Sequence, residues 1–418
     1  MYKAPRGTSD ILPEDQPYFI YIQDRAAYYA QLYGYKPIET PVFEDVGLFI
    51  RSVGEETDIV DKEMYVFDDK GNSTLALKPE GTAPVCRAYI EHGMQNLVQP
   101  VKLSYFASLF RYERPQAGRF RQHHQFGAEA IGDSDPALDA ELIDMIWNFI
   151  TGLGLTSIVL YINSIGCPQC RPAYLEKLKN YYLDKTDVMC GDCKTRLDKN
   201  PLRLLDCKKE SCSALVDQAP KSSQNLCPEC ADHYDSLKTY LNLLAIPYTE
   251  NPTLVRGLDY YTKTVFEIQP RDETGAQVAI AGGGRYDGLI EILGGKPTPA
   301  IGFGSGMERM VLNLKKQSVA IPTPAPPKVF VAYLGSQAKQ KAMGICRDLR
   351  KNGIASMQSL SDKSMKAQLK QAGKSGATYT IIIGEDELKT GSVTLRDMSE
   401  GNQQSLSINE IVTILKHK

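Results

Sequence analysis

Residues 109–132 restrict the fold most, because a charged segment that is too polar to be core lies between two apolar runs. The first run covers residues 105–110 and the second covers residues 126–131. Short apolar runs bounded by turn-forming residues are typical of strands, and the segment between them contains Pro115 and Gly118. The pattern therefore predicts two antiparallel strands joined by a loop.

Four polar side chains on these two segments predict a ligand-binding face. Arg111 and Glu113 are two residues apart and Gln125 and Glu129 are four apart, so each pair shares one face of its strand. A guanidinium group binds phosphate or carboxylate oxygens, whereas Glu and Gln side chains bind amines and ring N–H groups. A plain hairpin with a solvated charged face would give the same pattern. Other parts of the chain decide between the two interpretations.

Five stretches of the chain resemble one known family. Residues 110–113 (FRYE) resemble motif 2 of the class II aminoacyl-tRNA synthetases, and residues 119–125 resemble the version found in the histidyl-tRNA synthetase family. Four further stretches resemble the same family in the same order, the last of them motif 3: RGTSD (6–10), KPEGT (78–82), RGLDYY (256–261) and GFGSGMER (302–309). The resemblance covers nearly the whole chain.

The resemblance implies an α+β catalytic domain built on an antiparallel sheet, a small, mostly helical insertion domain and a C-terminal α/β anticodon-binding domain. Four prolines between residues 322 and 327 predict a stiff linker. Strand and helix patterns alternate after the linker, which predicts a small parallel or mixed sheet. We expect these boundaries: catalytic domain 1–165 and 246–320, cysteine-rich insertion 166–245, and anticodon-binding domain 328–418.

The resemblance also implies a two-step ligase reaction. ATP and L-histidine give histidyl-adenylate and diphosphate, and the 3′ end of tRNA(His) then takes the histidyl group with release of AMP. ATP enters with Mg²⁺, and positioned cations stabilise the charge on the α-phosphate. Residues 38–43 resemble motif 1, which carries a homodimer interface in this family. An ordinary edge strand would also fit them.

The motifs imply which residues form the site. The implied histidine-binding residues are Glu80, Gly81, Thr82, Arg111, Gln125, Glu129, Arg256, Tyr260 and Tyr261. The implied ATP-binding residues are Arg111, Glu113, Arg119 and Arg309, with Arg111 and Arg256 as the catalytic cations. Acidic and tyrosine side chains suit an imidazole because its ring carries both a donor and an acceptor. Thr82 has a second interpretation, as the N-cap of a helix that begins near Ala83.

Eight of the ten cysteines lie in four closely spaced pairs: Cys167/Cys170, Cys190/Cys193, Cys207/Cys212 and Cys227/Cys230. In a reducing compartment such pairs favour thiolate ligation of a tetrahedral metal ion over disulfides. Taken in chain order, 19 residues separate the first two pairs and 14 separate the last two, which predicts two Cys₄ structural zinc sites. An interleaved pairing of the same ligands, free thiols and disulfides remain alternatives.

Composition narrows the class of protein. The 418 residues are 23% charged with a net charge of −2, so a tRNA partner would need local basic patches rather than a global basic field. The first thirty residues lack the apolar core of a signal peptide, and no run of 18 apolar residues occurs. We therefore expect a soluble cytoplasmic protein that has no membrane partner.

Two other classes of function stay open. A regulatory paralogue that binds histidine without aminoacylation typically lacks the tail domain and departs from the Arg256 motif, and this chain has both. A purely nucleic-acid-binding module would account for the tail but not for an acidic and aromatic pocket.

Residues 282–284 are three glycines that permit close approach of a ligand, but they form neither a Walker A loop nor a dinucleotide fingerprint.

Overall fold

The structure, a computed structural model, describes residues 2–54, 57, 59–113, 120–271 and 278–417. The chain divides into two compact units, Met1–Ile321 and Pro322–Lys418. Within the described ranges, no helix is both long enough and apolar enough to cross a membrane.

The helices of the first unit are α1 (Gln16–Leu32), α2 (Val46–Val53), α3 (Thr82–Glu91), α4 (Pro136–Gly152), α5 (Arg171–Leu183), α6 (Gly191–Lys199), α7 (Glu210–Val216), α8 (Pro228–Leu243), α9 (Leu289–Ile292) and α10 (Met307–Lys316). Those of the second unit are α11 (Ser336–Lys351), α12 (Met365–Lys374), α13 (Glu385–Thr390) and α14 (Ile408–His417).

The strands of the first unit are β1 (Lys36–Pro37), β2 (Phe43–Asp45), β3 (Val66–Asp68), β4 (Thr74–Leu77), β5 (Val101–Phe110), β6 (Gln122–Ile131), β7 (Ile158–Ser164), β8 (Tyr248–Glu250), β9 (Thr262–Pro270), β10 (Ala281–Arg285) and β11 (Ala300–Gly306). Those of the second unit are β12 (Val329–Tyr333), β13 (Ser356–Gln358), β14 (Tyr379–Ile383), β15 (Val393–Asp397) and β16 (Gln403–Leu406).

An eight-stranded sheet organises the first unit, with the strand order β1-β5-β6-β11-β10-β9-β7-β8. Its pairings are antiparallel except at the two edges, where β1 runs parallel to β5 and β8 runs parallel to β7. The predicted hairpin is present: β5 and β6 pair from Val101↔Ile131 to Phe110↔Gln122. Both strands are longer than their apolar runs, because the pairing continues through residues 101–104 of β5 and residues 122–125 of β6, which include polar side chains.

One face of this sheet is covered by helices, and the other carries the polar side chains. Phe126, Ala128 and Ala130 of β6 belong to the buried core beneath α1, α4 and α10. Burying each large apolar side chain stabilises the fold by roughly 1.5–3 kcal/mol. Since successive side chains on a strand point to opposite faces, Gln125 and Glu129 lie on the other face.

The single edge strand predicted for residues 38–43 is wrong. The structure has two short strands here, and they belong to different sheets: β1 pairs with β5, whereas β2 pairs with β4 in a three-stranded sheet. Pro41 lies between them and has no N–H to donate, so the ladder cannot continue through this segment. Strands β3 and β4 pair as an antiparallel hairpin in the same three-stranded sheet.

Helices α5 to α8 form the mostly helical insertion that the sequence predicted. Its last helix, α8, packs against α4 through Tyr234, Leu237 and Leu241, which join the core of the large sheet. Leu178 and Leu204 lie in a second buried cluster with Leu103 of β5. The insertion and the sheet therefore share apolar cores, and the domain boundaries inside the first unit stay a prediction.

The second unit contains a five-stranded sheet with the order β13-β12-β14-β15-β16. The first three of these strands are parallel, and β15 and β16 are antiparallel to their neighbours. The predicted mixed sheet is therefore confirmed. Val329, Val331 and Ile381 are fully buried in its core, so the unit has an apolar core of its own.

Candidate active site

A cavity of about 390 Å³ opens on the polar face of the large sheet. Its walls come from β6, β9, β10 and β11, from the segment after β5, from the start of α10 and from the insertion. The cations on its lining are Arg111, Arg203, Lys208, Arg256 and Arg309, and the carboxylates are Glu63, Glu113, Asp206, Glu267 and Glu308. Because the named cations and carboxylates are equal in number, an anionic ligand would be held by contacts to particular guanidinium groups rather than by net charge.

Arg111 and Glu113 reach the cavity from the segment that follows β5. The strand ends at Phe110, so the prediction that places both residues on the strand is wrong. The backbone N–H of Arg111 donates to the carbonyl of Arg121 at 3.0 Å, and its Nε donates to the carbonyl of Pro79 at 2.8 Å. These bonds to two different segments fix the guanidinium group at the edge of the cavity.

Arg256 lies over β9 and β10 in the cavity. Its Nη1 donates to the carboxylate of Glu267, and Gln269 Nε2 donates to the same carboxylate at 2.7 Å. The centre of the guanidinium group lies 5.8 Å from the centre of the Tyr261 ring. At Gly282 an added methyl group would lie 2.4 Å from Arg256 Nη1. Glycine at this position is therefore what lets the guanidinium group lie against the sheet.

The first turn of α10 brings Glu308 and Arg309 to the cavity. Arg309 Nη1 donates to the carbonyl of Ala279 at 2.9 Å. Glu308 accepts from the backbone N–H of His124 at 2.9 Å and lies 2.7 Å from Nδ1 of the same ring. The neighbouring His123 also lines the cavity. Burial is the largest cause that lowers the pKa of His123 to about 3, and the charge of Arg111 is the next, so the His123 ring is neutral. Arg119, the fourth predicted ATP-binding residue, lies outside the described residues.

Glu129 is a fully buried carboxyl group surrounded by hydroxyl groups. Its Oε1 accepts from Thr82 at 2.9 Å and from Tyr105 at 3.1 Å, and its Oε2 accepts from Tyr286 at 2.5 Å. Burial raises the pKa of Glu129 to about 8, although these hydroxyl groups oppose the shift. A methyl group at Gly302 would lie 1.7 Å from Oε2, so β11 leaves room for the carboxyl group by having glycine there.

Glu80 is also buried, and it caps helix α3. Its carboxylate accepts from the backbone N–H groups of Thr82 at 2.6 Å and Ala83 at 2.8 Å. Negative charge is stabilised at a helix N-terminus, where N–H groups have no partner within the helix. The Thr82 hydroxyl donates to Glu129 instead, so the N-cap interpretation of Thr82 is wrong. Between them, Gly81 leaves room for Tyr105, whose ring would lie 2.4 Å from an added methyl group.

Gln125 and the tyrosine pair complete the predicted set. Gln125 lines the cavity and its Nε2 donates to the Tyr105 hydroxyl at 3.3 Å. The rings of Tyr260 and Tyr261 are buried and their centres lie 4.7 Å apart. Tyr260 also meets Tyr286 edge to face at 5.7 Å. The predicted residues that the structure describes therefore fall into two groups: five lie on the cavity lining, and the others are Glu129 and residues near it, namely Glu80, Gly81, Thr82, Tyr260 and Tyr261.

Sequence reasoning missed several residues of the site. Tyr105 of β5 and Tyr286, the residue after β10, donate to Glu129, and no local pattern points to them. Glu267 and Gln269 had a usable signal, since they are polar residues two apart in the mostly apolar second half of β9, residues 265–270, and so share a face. The insertion residues Arg203 and Lys208, described above on the cavity lining, carried no such signal.

The eight paired cysteines form two clusters, but not in chain order. The outer cysteine cluster consists of Cys167, Cys170, Cys227 and Cys230, and the inner cysteine cluster consists of Cys190, Cys193, Cys207 and Cys212. The chain-order pairing is therefore wrong, and the last cysteine pair joins the first. The reason is that α5 and α8, which begin next to these two pairs, both start at the base of the insertion.

The geometry of both clusters fits a tetrahedral metal ion. In the outer cluster, Cys167 Sγ lies 3.8 Å from the sulfurs of Cys170 and Cys227. In the inner cluster, the sulfurs of Cys190 and Cys207 are 3.9 Å apart. A tetrahedron with Zn–S bonds of about 2.3 Å has edges of about 3.8 Å, whereas a disulfide needs about 2.05 Å. All four sulfurs of each cluster lie within 4.8 Å of one another.

Comparisons with known proteins agree with the fold. The family described as "Histidyl-tRNA synthetase" matches residues 7–171 and 196–310, and an "Anticodon binding domain" matches residues 328–418. A histidine–tRNA ligase of Dehalococcoides mccartyi is 57% identical over 100% of this chain and 99% of its own, and one of Halothermothrix orenii is 50% identical over 98% of each. The apo histidyl-tRNA synthetase of S. aureus has a TM-score of 0.83 and 38% identity over 100% of both chains.

These matches confirm the fold class that the motifs implied. The mixed sheet, the helical insertion and the C-terminal α/β unit define a class II aminoacyl-tRNA synthetase. Within that class, the chain belongs to the histidyl-tRNA synthetase family.

Proposed function

We propose that the protein ligates L-histidine to the 3′ end of tRNA(His) at the expense of ATP, through a histidyl-adenylate, with release of AMP and diphosphate. The observation that carries this proposal is the proximity of two features: a cavity lined by fixed arginines and, buried behind it, a carboxyl group surrounded by hydroxyl groups. The first suits the phosphates of ATP and the carboxylate of an amino acid. The second suits a side chain that carries a ring N–H.

The hydrogen bonds that hold each arginine decide which group of the substrates we assign to it. Arg111 is fixed to Pro79, next to the buried Glu80 and the start of α3, and we assign it to the α-phosphate. Arg256, held by Glu267, is assigned to the histidine carboxylate and the same phosphate. Preorganised cations stabilise the charge that develops at the phosphorus without reorganising during the reaction. They raise the rate mainly by this electrostatic effect, because phosphoryl chemistry needs little covalent help.

The remaining contacts to ATP follow the shape of the cavity. Arg309, in the first turn of α10, is assigned to the γ-phosphate, where the helix N-terminus also favours an anion. Glu113 is assigned to the adenine side, and Arg119 remains a predicted ATP contact. Mg²⁺ enters as part of the ATP complex and neutralises phosphate charge.

Selection of histidine is assigned to the group of residues around Glu129. Three hydroxyl groups contact its carboxyl group, and only Tyr286 contacts Oε2, so Oε2 is assigned to accept from an imidazole N–H when histidine binding favours the ionised form. Gln125 and the pair Tyr260 and Tyr261 surround the other side of the ring in this proposal. An amino acid without a ring N–H leaves a buried polar group unpaired, which costs affinity. Glu80 and Thr82, close to Arg111, are assigned to the α-amino group.

The second unit and the quaternary structure extend the proposal to tRNA. We assign recognition of the anticodon of tRNA(His) to residues 328–418, which match an anticodon-binding domain. A homodimer and a cytoplasmic location stay predictions from the family resemblance. Two Cys₄ zinc ions are proposed as structural components of the insertion, because four thiolates close the coordination shell and leave no position for a reactant.

Histidine-dependent exchange of radioactive diphosphate into ATP tests the first step. Exchange with L-histidine, and none with L-glutamine or L-asparagine, is the expected result. Charging of a tRNA(His) transcript tests the second step. A protein that binds histidine but exchanges no diphosphate would act instead as a regulatory paralogue, and the proposal would be wrong.

A further inference from the structure

The insertion contributes side chains to the cavity as well as helices to the fold. Arg203, Asp206 and Lys208 line the cavity together with Arg111 and the other residues of the sheet face. They come from the segment 201–208, which lies between α6 and α7. This segment also lies between the ligands of the inner cysteine cluster, because Cys193 precedes it and Cys207 and Cys212 close it.

The inner cysteine cluster is central to what holds this segment in place. Cys207 lies between Asp206 and Lys208 in the chain, so a metal ion bound to its sulfur fixes the backbone of both neighbours. The carbonyl of Arg203 accepts from Arg196 of α6 at 3.5 Å, a long bond that adds little by itself. Asp206 and Lys208 pair at 3.3 Å, but both are about half exposed, so the pair stabilises little.

The segment has apolar anchors of its own, because Leu204 and Leu205 lie in the second buried cluster, but the two helices that flank it bury few apolar side chains. Helix α6 buries Cys193 and Leu197, and α7 buries Cys212 and Val216. Two of these four buried side chains are therefore cysteines of the inner cysteine cluster, and only two are aliphatic. A metal ion at the inner cysteine cluster would add to these anchors by joining α6, the segment and α7 through four ligands, and the sulfur spacing fits such an ion.

A second contact joins the segment to the catalytic loop. Asn200, directly before it, donates through Nδ2 to Asp259 at 2.6 Å. Asp259 lies between Arg256 and Tyr260 in the RGLDYY motif. The position of the segment is therefore coupled at one end to the inner cysteine cluster and at the other to the loop that carries Arg256.

We propose that the inner cysteine cluster binds a zinc ion that holds Arg203 and Lys208 on the cavity wall, where they bind the polyphosphate of ATP. The insertion is then part of the adenylation site, and its zinc ion controls affinity for ATP rather than only the stability of the insertion. The inference rests on the proposed function for the identity of the ligand. The chemistry of two more cations, beside the three arginines that the cavity already holds, suits the separate phosphate groups of a polyphosphate.

Two lysines next to each other in the chain provide a matched test. Lys208 lines the cavity, whereas Lys209 is directed to Asp192 at 3.3 Å. We expect Arg203→Ala and Lys208→Ala each to weaken ATP binding, measured by calorimetry, by about tenfold, the effect of losing one charge-assisted contact. Lys209→Ala should leave it within twofold. Equal effects of the two lysine variants, or no effect of Arg203→Ala and Lys208→Ala, would overturn the role of these side chains.

The role of the metal ion is tested by Cys212→Ser. Elemental analysis should give two zinc ions per wild-type chain and one in this variant. Its affinity for ATP should fall by at least as much as in Lys208→Ala, while the melting of the large sheet, followed by circular dichroism, stays within a few degrees. A variant that loses one zinc ion but binds ATP as tightly as the wild type would contradict the inference. A wild-type protein with less than one zinc ion per chain would contradict it as well.

Failure of the proposed function gives a different result. If the wild-type protein binds ATP but shows no histidine-dependent exchange, the ligase assignment is wrong. The loss of ATP affinity in Lys208→Ala and Cys212→Ser would still appear in calorimetry, because that measurement needs no amino acid.

Discussion

The guanidinium group of Arg256 donates to the carboxylate of Glu267 directly above Gly282, the residue that pairs with Glu267 across β9 and β10. Three segments that are distant in the chain thus fix one cation in the cavity. The carboxylate sets the direction of the guanidinium group, and the glycine provides the space for it. A change at Gly282 therefore acts on catalysis through Arg256.

We expect Gly282→Ala to lower histidine-dependent diphosphate exchange by about 100-fold, because the added methyl group would lie 2.4 Å from Arg256 Nη1 and displace it. Gly288→Ala is the matched control, since a methyl group there meets open space within the described part of the chain. Thermal melting shows whether each variant is folded. Exchange within a few fold of wild type in a folded Gly282→Ala protein would contradict the role of Arg256.

Arg111→Ala should lower exchange by about 100-fold to 1,000-fold while the fold stays intact, since a fixed cation at the developing charge is lost. Arg111→Lys should be intermediate: it keeps the charge but cannot reproduce the bond from Nε to the Pro79 carbonyl together with a bidentate contact. Exchange rates at saturating ATP and histidine measure both. An alanine variant as active as the lysine variant would remove Arg111 from the phosphate site.

Deleting residues 328–418 should spare histidine-dependent exchange and strongly reduce charging of tRNA(His). The reason is that the second unit has its own core and carries none of the five motif stretches. The measurement compares exchange and charging on the same purified protein. Normal charging by the folded, truncated protein would show that the second unit is not needed to recognise tRNA.

The sequence predicted the hairpin and four of the ten charged residues named on the cavity lining, because the hairpin and these four residues depend on local patterns. The alternation around β5 and β6 indicates two strands, and side chains such as Arg111 and Arg309 lie in short motifs. The exact end of β5 was not predictable in the same way: Arg111 continues the alternation, but its N–H pairs with Arg121 beyond the end of the ladder.

Contacts between distant segments could not be predicted. The hydroxyl shell of Glu129 comes from β5, α3 and the end of β10, and only the register of the sheet brings Tyr105 and Tyr286 together. The pairing of the cysteines into two clusters also depends on contacts between distant segments. Spacing along the chain favours neighbouring pairs, but the chain returns to the base of the insertion at α8, and this return brings Cys227 to Cys167.

Glu129 should make the stability of the free protein depend on pH. Burial raises the pKa of its carboxyl group from 4.5 to about 8 in the folded protein. Below about pH 4.5 the group is protonated in both states, and as the pH rises towards 8 only the unfolded state releases the proton. The stability that depends on this proton is therefore present at low pH and lost as the pH rises through the folded pKa.

Glu129→Gln removes this titration and keeps the shape of the side chain, so it isolates the effect. The free energy of unfolding of wild type minus that of Glu129→Gln should fall by a few kcal/mol between pH 5 and pH 8, at about 1.4 kcal/mol per unit of pKa shift. Glu80, whose pKa is also raised by burial, is common to both proteins and largely cancels in the difference. Denaturant melts at several pH values give the comparison. Parallel stability curves for the two proteins would show that Glu129 is already ionised in the folded protein at neutral pH, and the carboxyl group would then be a preformed acceptor for the ring N–H of the substrate.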